Sequence, residues 1–277
     1  MKIFLTGGTG FIGSHFVPQA LDAGCEVTAL RRSPSSVSKI PWIRDPEWLD
    51  RPLDQVSSSD LQGVDCIVHL AAHSANVPYD SLEECLQQNV LQPLILFRRA
   101  TQAGIRRFVV AGSCFEYGTA GERYEFIPVD APLEPTTSYP ASKAAASVAF
   151  HSFACEEKLE LLIARIFQVY GEGESENRFW PTLRRAALAG EDLPMTEGDQ
   201  VRDFIQVSEV AARLLDLALH EVIPPGYPIV KNIGTGNPMS LADFARSQWK
   251  DLGATGRLLL GSVPKRDGEI LRYVPEI

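Results

Sequence analysis

The chain reads as an α/β protein built on a doubly wound parallel sheet, and three observations predict this. Strand-like apolar runs alternate with segments of helical period from Lys2 to Ile166. Some of those runs have an unbroken apolar centre, as in "VDCIVHL" (Val64 to Leu70), which is what burial of a strand on both faces demands. The first run leads straight into a glycine-rich turn, "GGTGFIG", and then into a helix.

Taken in order, Lys2 to Thr6 is a short buried strand, and Phe11 to Ala23 carries apolar residues at helical spacing until Gly24 closes it. Glu26 to Leu30 is the second strand. The stretch Ser33 to Ser59, rich in Ser, Pro and Asp, reads as loop with one short strand near Trp48. Val64 to Leu70, Arg107 to Ala111 and Leu159 to Ile166 continue the strands, with helices around Ser81 to Ala103 and Ser138 to Glu157 between them. After about Tyr170 the alternation gives way to Gly, Glu, Pro and shorter segments. The expected division is therefore a nucleotide-binding domain over 1–170 that carries the chemistry, and a smaller lobe, mainly substrate-binding, over 171–277. The chain of the lobe is expected to interleave with the main domain.

Composition narrows the class. Of 277 residues, 45% are apolar and 22% charged, an ordinary globular balance. A net charge of −9 disfavours nucleic acid or an anionic membrane as partner, so an anionic ligand has to be held by local arginines. No apolar run approaches the roughly 20 residues that cross a bilayer, and the first strand lacks the long apolar stretch of a signal peptide. Five cysteines without C-x-x-C pairing read as free thiols. These features predict a soluble cytoplasmic protein. The five histidines show no metal-ligand spacing, so no metal is expected.

The glycines have a specific use. Gly7, Gly10 and Gly13 permit a tight turn, close approach of a pyrophosphate and close helix-to-strand packing, and Phe11 and Ile12 open the helix whose amino terminus faces the phosphates. In NAD sites of this class an acidic residue about 20 positions on binds the ribose hydroxyl. Here the second strand ends "ALRRS", so Arg31 and Arg32 stand in that place. A guanidinium can clamp a 2′-phosphate that a carboxylate repels. The expected cofactor is NADP(H), with NAD the alternative if the two arginines are only solvated.

Five further stretches carry a family resemblance. "VDCIVHLAA" (Val64 to Ala72), "AGSCFEYG" (Ala111 to Gly118), "YPASK" (Tyr139 to Lys143), "RIFQVYG" (Arg165 to Gly171) and "VRDFIQVSEVA" (Val201 to Ala211) together resemble extended short-chain dehydrogenases. The branch they resemble is the NAD(P)-dependent epimerase/dehydratase family, which modifies nucleotide sugars. The resemblance implies a Rossmann-like sheet with a smaller C-terminal substrate-binding lobe. It also implies cofactor contacts from Leu70, Ala71 and Ala72, an active-site helix asparagine at Asn89, and substrate contacts from Gln168, Arg202 and Arg266, the two arginines gripping a diphosphate.

The chemistry also follows from the residues. Tyr139 and Lys143, four apart, share a helix face on which an ammonium can lower a phenol's pKa. A tyrosine so tuned exchanges a proton with a hydroxyl near neutral pH. Ser113, about one strand-to-helix unit upstream, is placed as a second hydrogen-bonding group to the reacting oxygen. The catalytic set is Ser113, Tyr139 and Lys143.

Departures sharpen the reading. The family's dehydratases place Asp-Glu after the Ser/Thr, whereas here Cys114 and Phe115 follow, so dehydration is not expected. Glu116 is one position late and reads as structural, and Cys114 as a packed thiol. Gln168 replaces the family's usual asparagine. The function expected is an NADPH-dependent reductase of a nucleotide-linked keto sugar, such as an NDP-4-keto-6-deoxyhexose. The alternatives are a nucleotide-sugar 4-epimerase and a non-catalytic NADP-binding regulator. The partners expected are the nucleotide sugar and a second copy of the chain, in a homodimer.

Overall fold

A computed structural model of the chain describes residues 1–265 and 270–277. The strands are β1 (Lys2–Thr6), β2 (Glu26–Arg31), β3 (Glu47–Asp50), β4 (Cys66–His69), β5 (Arg107–Ser113), β6 (Glu160–Ile166), β7 (Gln168–Tyr170), β8 (Leu193–Pro194), β9 (Val201–Arg202), β10 (Phe204–Gln206), β11 (Ile229–Ile233), β12 (Met239–Ser240), β13 (Leu258–Leu259) and β14 (Arg272–Tyr273). The helices are α1 (Phe11–Asp22), α2 (Leu82–Leu86), α3 (Gln92–Gln102), α4 (Ser138–Glu157), α5 (Phe179–Ala189), α6 (Val207–His220) and α7 (Leu241–Asp251).

Seven strands form one parallel sheet in the order β11-β6-β5-β4-β1-β2-β3. The chain runs outward from β1 through β2 and β3, then returns to β4 on the other side of β1. That reversal opens a crevice past the carboxyl ends of β1 and β4. The short strand expected near Trp48 is β3, the sheet's edge.

Side chains of successive strand residues point to opposite faces, and both faces are apolar. Ile3, Leu5, Val68, Val109 and Leu162 pack against α1 and α6. Phe4, Ile67, Phe108, Leu161 and Ile163 pack against α3 and α4, with Phe97 and Phe150 fully enclosed. Each such side chain contributes about 1.5–3 kcal/mol by leaving water. Beyond 171 the chain gives α6 and β11 back to this layer and builds a separate small core from Leu183, Leu193, Met195 and Trp249 between α5 and α7.

The helix expected from Ser81 to Ala103 is divided. Between α2 and α3 the residues Gln87–Leu91 form a π turn. Pro93 sits at the start of α3 and has no N–H to close the ordinary ladder on the Asn89 carbonyl, so the turn widens there.

At the crevice the glycine turn is set by close approach. Gly7 has φ +77°, and a Cβ on it would lie 2.6 Å from the Ala71 backbone nitrogen. The left-handed conformation alone costs a non-glycine residue about 1–2 kcal/mol. Gly7→Ala is therefore expected to destabilise the fold by more than that amount in urea titration. A loss under 1 kcal/mol would show that the β4 loop yields to the methyl group.

Candidate active site

The cofactor edge is assembled from three strand ends. Gly10 caps α1 with no side-chain hydrogen bond, and the first turn holds no acidic residue, so the helix's positive end is open to an anion. Thr6 Oγ1 accepts the Ala71 N–H at 3.3 Å and meets His69 Nδ1 at 2.7 Å, which fixes the loop Leu70, Ala71 and Ala72 against the glycine turn. His69 is buried and neutral, its imidazole pushed down to about 3 by burial and by the Lys143 charge. Phe11 and Ile12 are half-buried on the same rim.

Arg31 ends β2 on this edge, but its guanidinium is engaged. Asp50 stands opposite it in the β2–β3 register and takes Nε at 2.5 Å and Nη2 at 3.3 Å. Its Cζ lies 4.5 Å from the Trp48 ring centroid, and Trp48 in turn stacks on Trp42 at 5.8 Å. Arg32 is exposed. Asp50 was not legible as a partner because β3 is 19 residues along the chain from Arg31.

At the candidate reacting centre Ser113 ends β5 and Tyr139 and Lys143 lie in the first turns of α4, all three buried. Ser113 Oγ accepts the Phe115 N–H at 3.2 Å, and Ser113 is near enough to Tyr139 to oppose the shift of its phenol. Lys143 Nζ donates to the Ala111 carbonyl at 2.6 Å, two residues before Ser113 on the same strand. The expected lowering of the phenol's pKa is not what the site produces. Burial pushes the Tyr139 phenol up, with its acidic neighbours Cys114, Glu116 and Tyr79 adding to it and Ser113 opposing. Burial also lowers the Lys143 ammonium against the pull of Glu116. Lys143 Nζ is turned to the Ala111 carbonyl and loss of water sets the direction of the shift, so the resting phenol keeps its proton.

Asn89 belongs to the same assembly. From the π turn its Oδ1 accepts the His73 N–H at 2.7 Å, and its Nδ2 donates to the His73 carbonyl at 3.2 Å and to Ser142 Oγ at 2.9 Å. It therefore ties the loop after β4 to α4. That loop carries Tyr79, whose ring centroid is 5.5 Å from that of Tyr139. The Asp80 carbonyl accepts the Ser138 hydroxyl at 2.7 Å, which pins the loop beside the start of α4.

On the substrate side Gln168 begins β7, half-buried. Arg202 lies on β9, donates to the Val201 and Ile270 carbonyls at 2.9 and 2.6 Å, and exerts its charge on Cys114 and Tyr273. Arg178, which the sequence reading missed, precedes α5, and its charge also reaches Cys114 and Tyr79. Arg266 lies outside the described residues. Cys114 is buried, its thiol pushed up to about 12 mainly by burial, so it is inert as a nucleophile. Tyr273, also missed, reaches from β14 to donate to the Cys114 and Gly118 carbonyls, both at 3.1 Å, clamping the active-site turn. Neither had a sequence signal beyond its residue type, since the lobe's path over the sheet is set by tertiary packing.

A family model described as the NAD-dependent epimerase/dehydratase family matches residues 3–234. UDP-glucose 4-epimerase of Haemophilus influenzae is 28% identical over 304 aligned residues, covering 98% of this chain and 88% of that enzyme. dTDP-glucose 4,6-dehydratase of Streptomyces niveus is 27% identical, covering 99% of this chain and 84% of its own. The structure of MoeE5 with UDP-glucuronic acid and NAD superposes with a TM-score of 0.85 at 29% identity, over 100% of this chain and 90% of that one.

One carboxyl on the substrate side titrates near neutrality. Glu174 Oε1 meets Arg178 Nε at 3.4 Å, while its buried Oε2 has no hydrogen-bond partner. Burial pushes it from 4.5 up to about 7, against the pull of Arg178 and of its hydrogen bond at Gly171. Between those values the folded chain holds a proton that the unfolded chain has lost, so stability falls as pH rises through that window. At about 1.36 kcal/mol per pH unit the loss reaches about 3 kcal/mol above pH 7. Glu174→Gln keeps the neutral form. It is expected to melt higher than the parent at pH 8 and alike near pH 4.5; a gap that ignores pH would place the charge in water.

Proposed function

The chain belongs to the NAD-dependent epimerase/dehydratase family, and from that premise we propose that it is an NADPH-dependent reductase of a nucleotide-linked keto sugar, such as an NDP-4-keto-6-deoxyhexose. One observation carries the reading: Tyr139, beside Ser113, is a phenol that burial keeps protonated, and the residues after Ser113 are Cys114 and Phe115, which cannot serve as the acid and base of a dehydration. A protonated phenol is the form that gives a proton to a new hydroxyl.

A nicotinamide cofactor fits the open α1 terminus and the glycine turn, and when bound it supplies the hydride. The chain's own groups handle the proton. Tyr139 donates to the sugar oxygen as negative charge grows there, and Ser113 hydrogen-bonds the same oxygen. Lys143, fixed to the Ala111 carbonyl, orients the ribose and offsets charge on Tyr139. Gln168, Arg202 and Arg178, with Arg266, are read as the substrate's grip. Of these, Arg202 lies on β9 and Arg178 immediately precedes α5. For NADP the supporting residues are Arg32, exposed past the strand end, and Arg31 behind it on Trp48.

A second reading has its own observation. Asp50 places a carboxylate beside the end of β2 and neutralises Arg31, which favours NAD and with it a nucleotide-sugar 4-epimerase that returns the hydride to its own substrate. The five cysteines are unpaired, which supports a reducing cytoplasm. Among the described residues no helix is long and apolar enough to cross a membrane. Leu91 and Ile95 along the helix through α3, and Val148 on α4, are 50%, 42% and 64% exposed on elements covering one face of the sheet. They support a homodimer, for which light scattering should return twice the 30.5 kDa chain mass; the chain mass alone would exclude it.

Absorbance decides between the two readings. With dTDP-4-keto-6-deoxyglucose, NADPH should be consumed steadily and bind more tightly than NADH. Tyr139→Phe should lower turnover at least about 100-fold while cofactor affinity holds. Conversion of UDP-glucose to UDP-galactose without added NADPH would instead establish the epimerase.

A further inference from the structure

Behind the reacting centre lies a carboxylate that the chemistry above does not use. Glu116 is fully buried, and its two oxygens reach three different elements. Oε1 accepts the Ser113 backbone N–H at 2.8 Å, at the end of β5. Oε2 accepts the Ser147 hydroxyl at 2.7 Å, one turn past Lys143 on α4, and Arg165 Nε at 2.9 Å, on β6. Gly112 makes the room: a Cβ there would lie 2.8 Å from Glu116 Oε1 and 3.2 Å from the Arg165 side chain. Arg165 is held in turn by the Tyr117 hydroxyl at 3.0 Å and the Val129 carbonyl at 2.8 Å.

A buried charge of this kind stands only when paired and hydrogen-bonded throughout, and a well-packed apolar side chain makes no such demand. What the carboxylate adds is geometry. Its oxygens are a fixed covalent distance apart, so donors bound to them are fixed relative to one another. The donors here are the backbone of Ser113 and a hydroxyl on the helix that carries Tyr139 and Lys143.

We propose that Glu116 is a positioning residue: by holding Ser113 on one oxygen and Ser147 on the other, it sets the spacing between the strand end bearing Ser113 and the helix bearing Tyr139 and Lys143. The inference rests on the reading of those three as the catalytic set. Its mechanical content is that the spacing of Ser113 and Tyr139 depends on Ser147, through the two oxygens of Glu116. A carboxamide at 116 cannot replace the carboxylate, because in either orientation its NH₂ group faces a donor, the Ser113 N–H or Arg165 Nε.

The test uses the full chain labelled with [ζ-¹³C]tyrosine and needs no ligand. The Tyr139 resonance is identified by its absence in Tyr139→Phe. Ser147→Ala removes one tie but leaves the Glu116–Arg165 pair, so the fold is expected to survive, as a thermal melt will verify. In that variant the Tyr139 resonance should shift, while Tyr117, bonded to Arg165, should stay. Ser147→Thr, which keeps the hydroxyl, should restore it. Reduction of dTDP-4-keto-6-deoxyglucose should fall about tenfold in kcat with KM unchanged, as for a misplaced catalytic group. A folded Ser147→Ala protein whose Tyr139 resonance does not move overturns the inference. Turnover that survives Tyr139→Phe overturns the functional reading instead, and the resonance still judges the role of Glu116.

Discussion

Strands that all run one way must all end on one edge, and almost everything this protein presents for chemistry hangs on that edge. β1 ends in the glycine turn, β2 in Arg31, β4 in the Leu70 to Ala72 loop and β5 in Ser113. Helices returning between the strands bring their amino ends to the same side, which is how α1 offers an uncapped terminus and α4 offers Tyr139 and Lys143. The reversal of strand order beside β1 separates the flanking loops and leaves the crevice between them. The smaller lobe adds to that edge rather than making a site of its own. Tyr273 reaches back to the Cys114 and Gly118 carbonyls, and the charge of Arg202 is felt at Cys114.

Placing a reacting centre so deep makes burial the dominant influence on charge. Tyr139 is raised, Lys143 lowered, the Cys114 thiol raised to about 12 and His69 lowered to about 3, each with burial as its first cause. Around the Ser113 turn the buried polar side chains are matched to partners. Tyr117 links Arg165 to Asn232, which donates to the Ile127 carbonyl, so the sheet, the active-site turn and the segment at 127–129 share one network. Glu116 is the anion of that network. Its sequence position, one residue late for proton transfer, and its full enclosure by Ser113, Ser147 and Arg165 are one fact seen from two sides.

The cofactor edge shows a different balance. Arg31 is held between Asp50 and Trp48, so its charge is already offset where a ribose would lie. A 2′-phosphate would gain a guanidinium but also meet a carboxylate, and a ribose hydroxyl would find an acceptor that the second strand lacks. Specificity there is a difference between two such sums.

By itself the sequence determined what is local or periodic. Alternating apolar segments required a parallel sheet covered on both faces. The glycine spacing between strand and helix required a nucleotide turn, and the i, i+4 placement of Tyr139 and Lys143 put them on one helix face. These are properties of neighbouring residues, and the expected strand and helix bounds lie within a few positions of β1, α1, β2, β5, β6 and α4. Even the π turn has a local cause in Pro93, although its use, aiming Asn89 at the His73 backbone and Ser142, does not. Tertiary structure alone decided which charges meet. Arg31 finds Asp50 across a strand register, Arg165 finds Glu116 from 49 residues away, and Tyr273 reaches the Cys114 carbonyl from 159 residues away. No spacing encodes such pairs, because each is fixed by where separate elements stop on a common edge. The direction of the Tyr139 shift was settled in the same way: Lys143 shares the helix face but gives its Nζ to the Ala111 carbonyl, while burial beside the ring of Tyr79 removes the water, which is the largest effect.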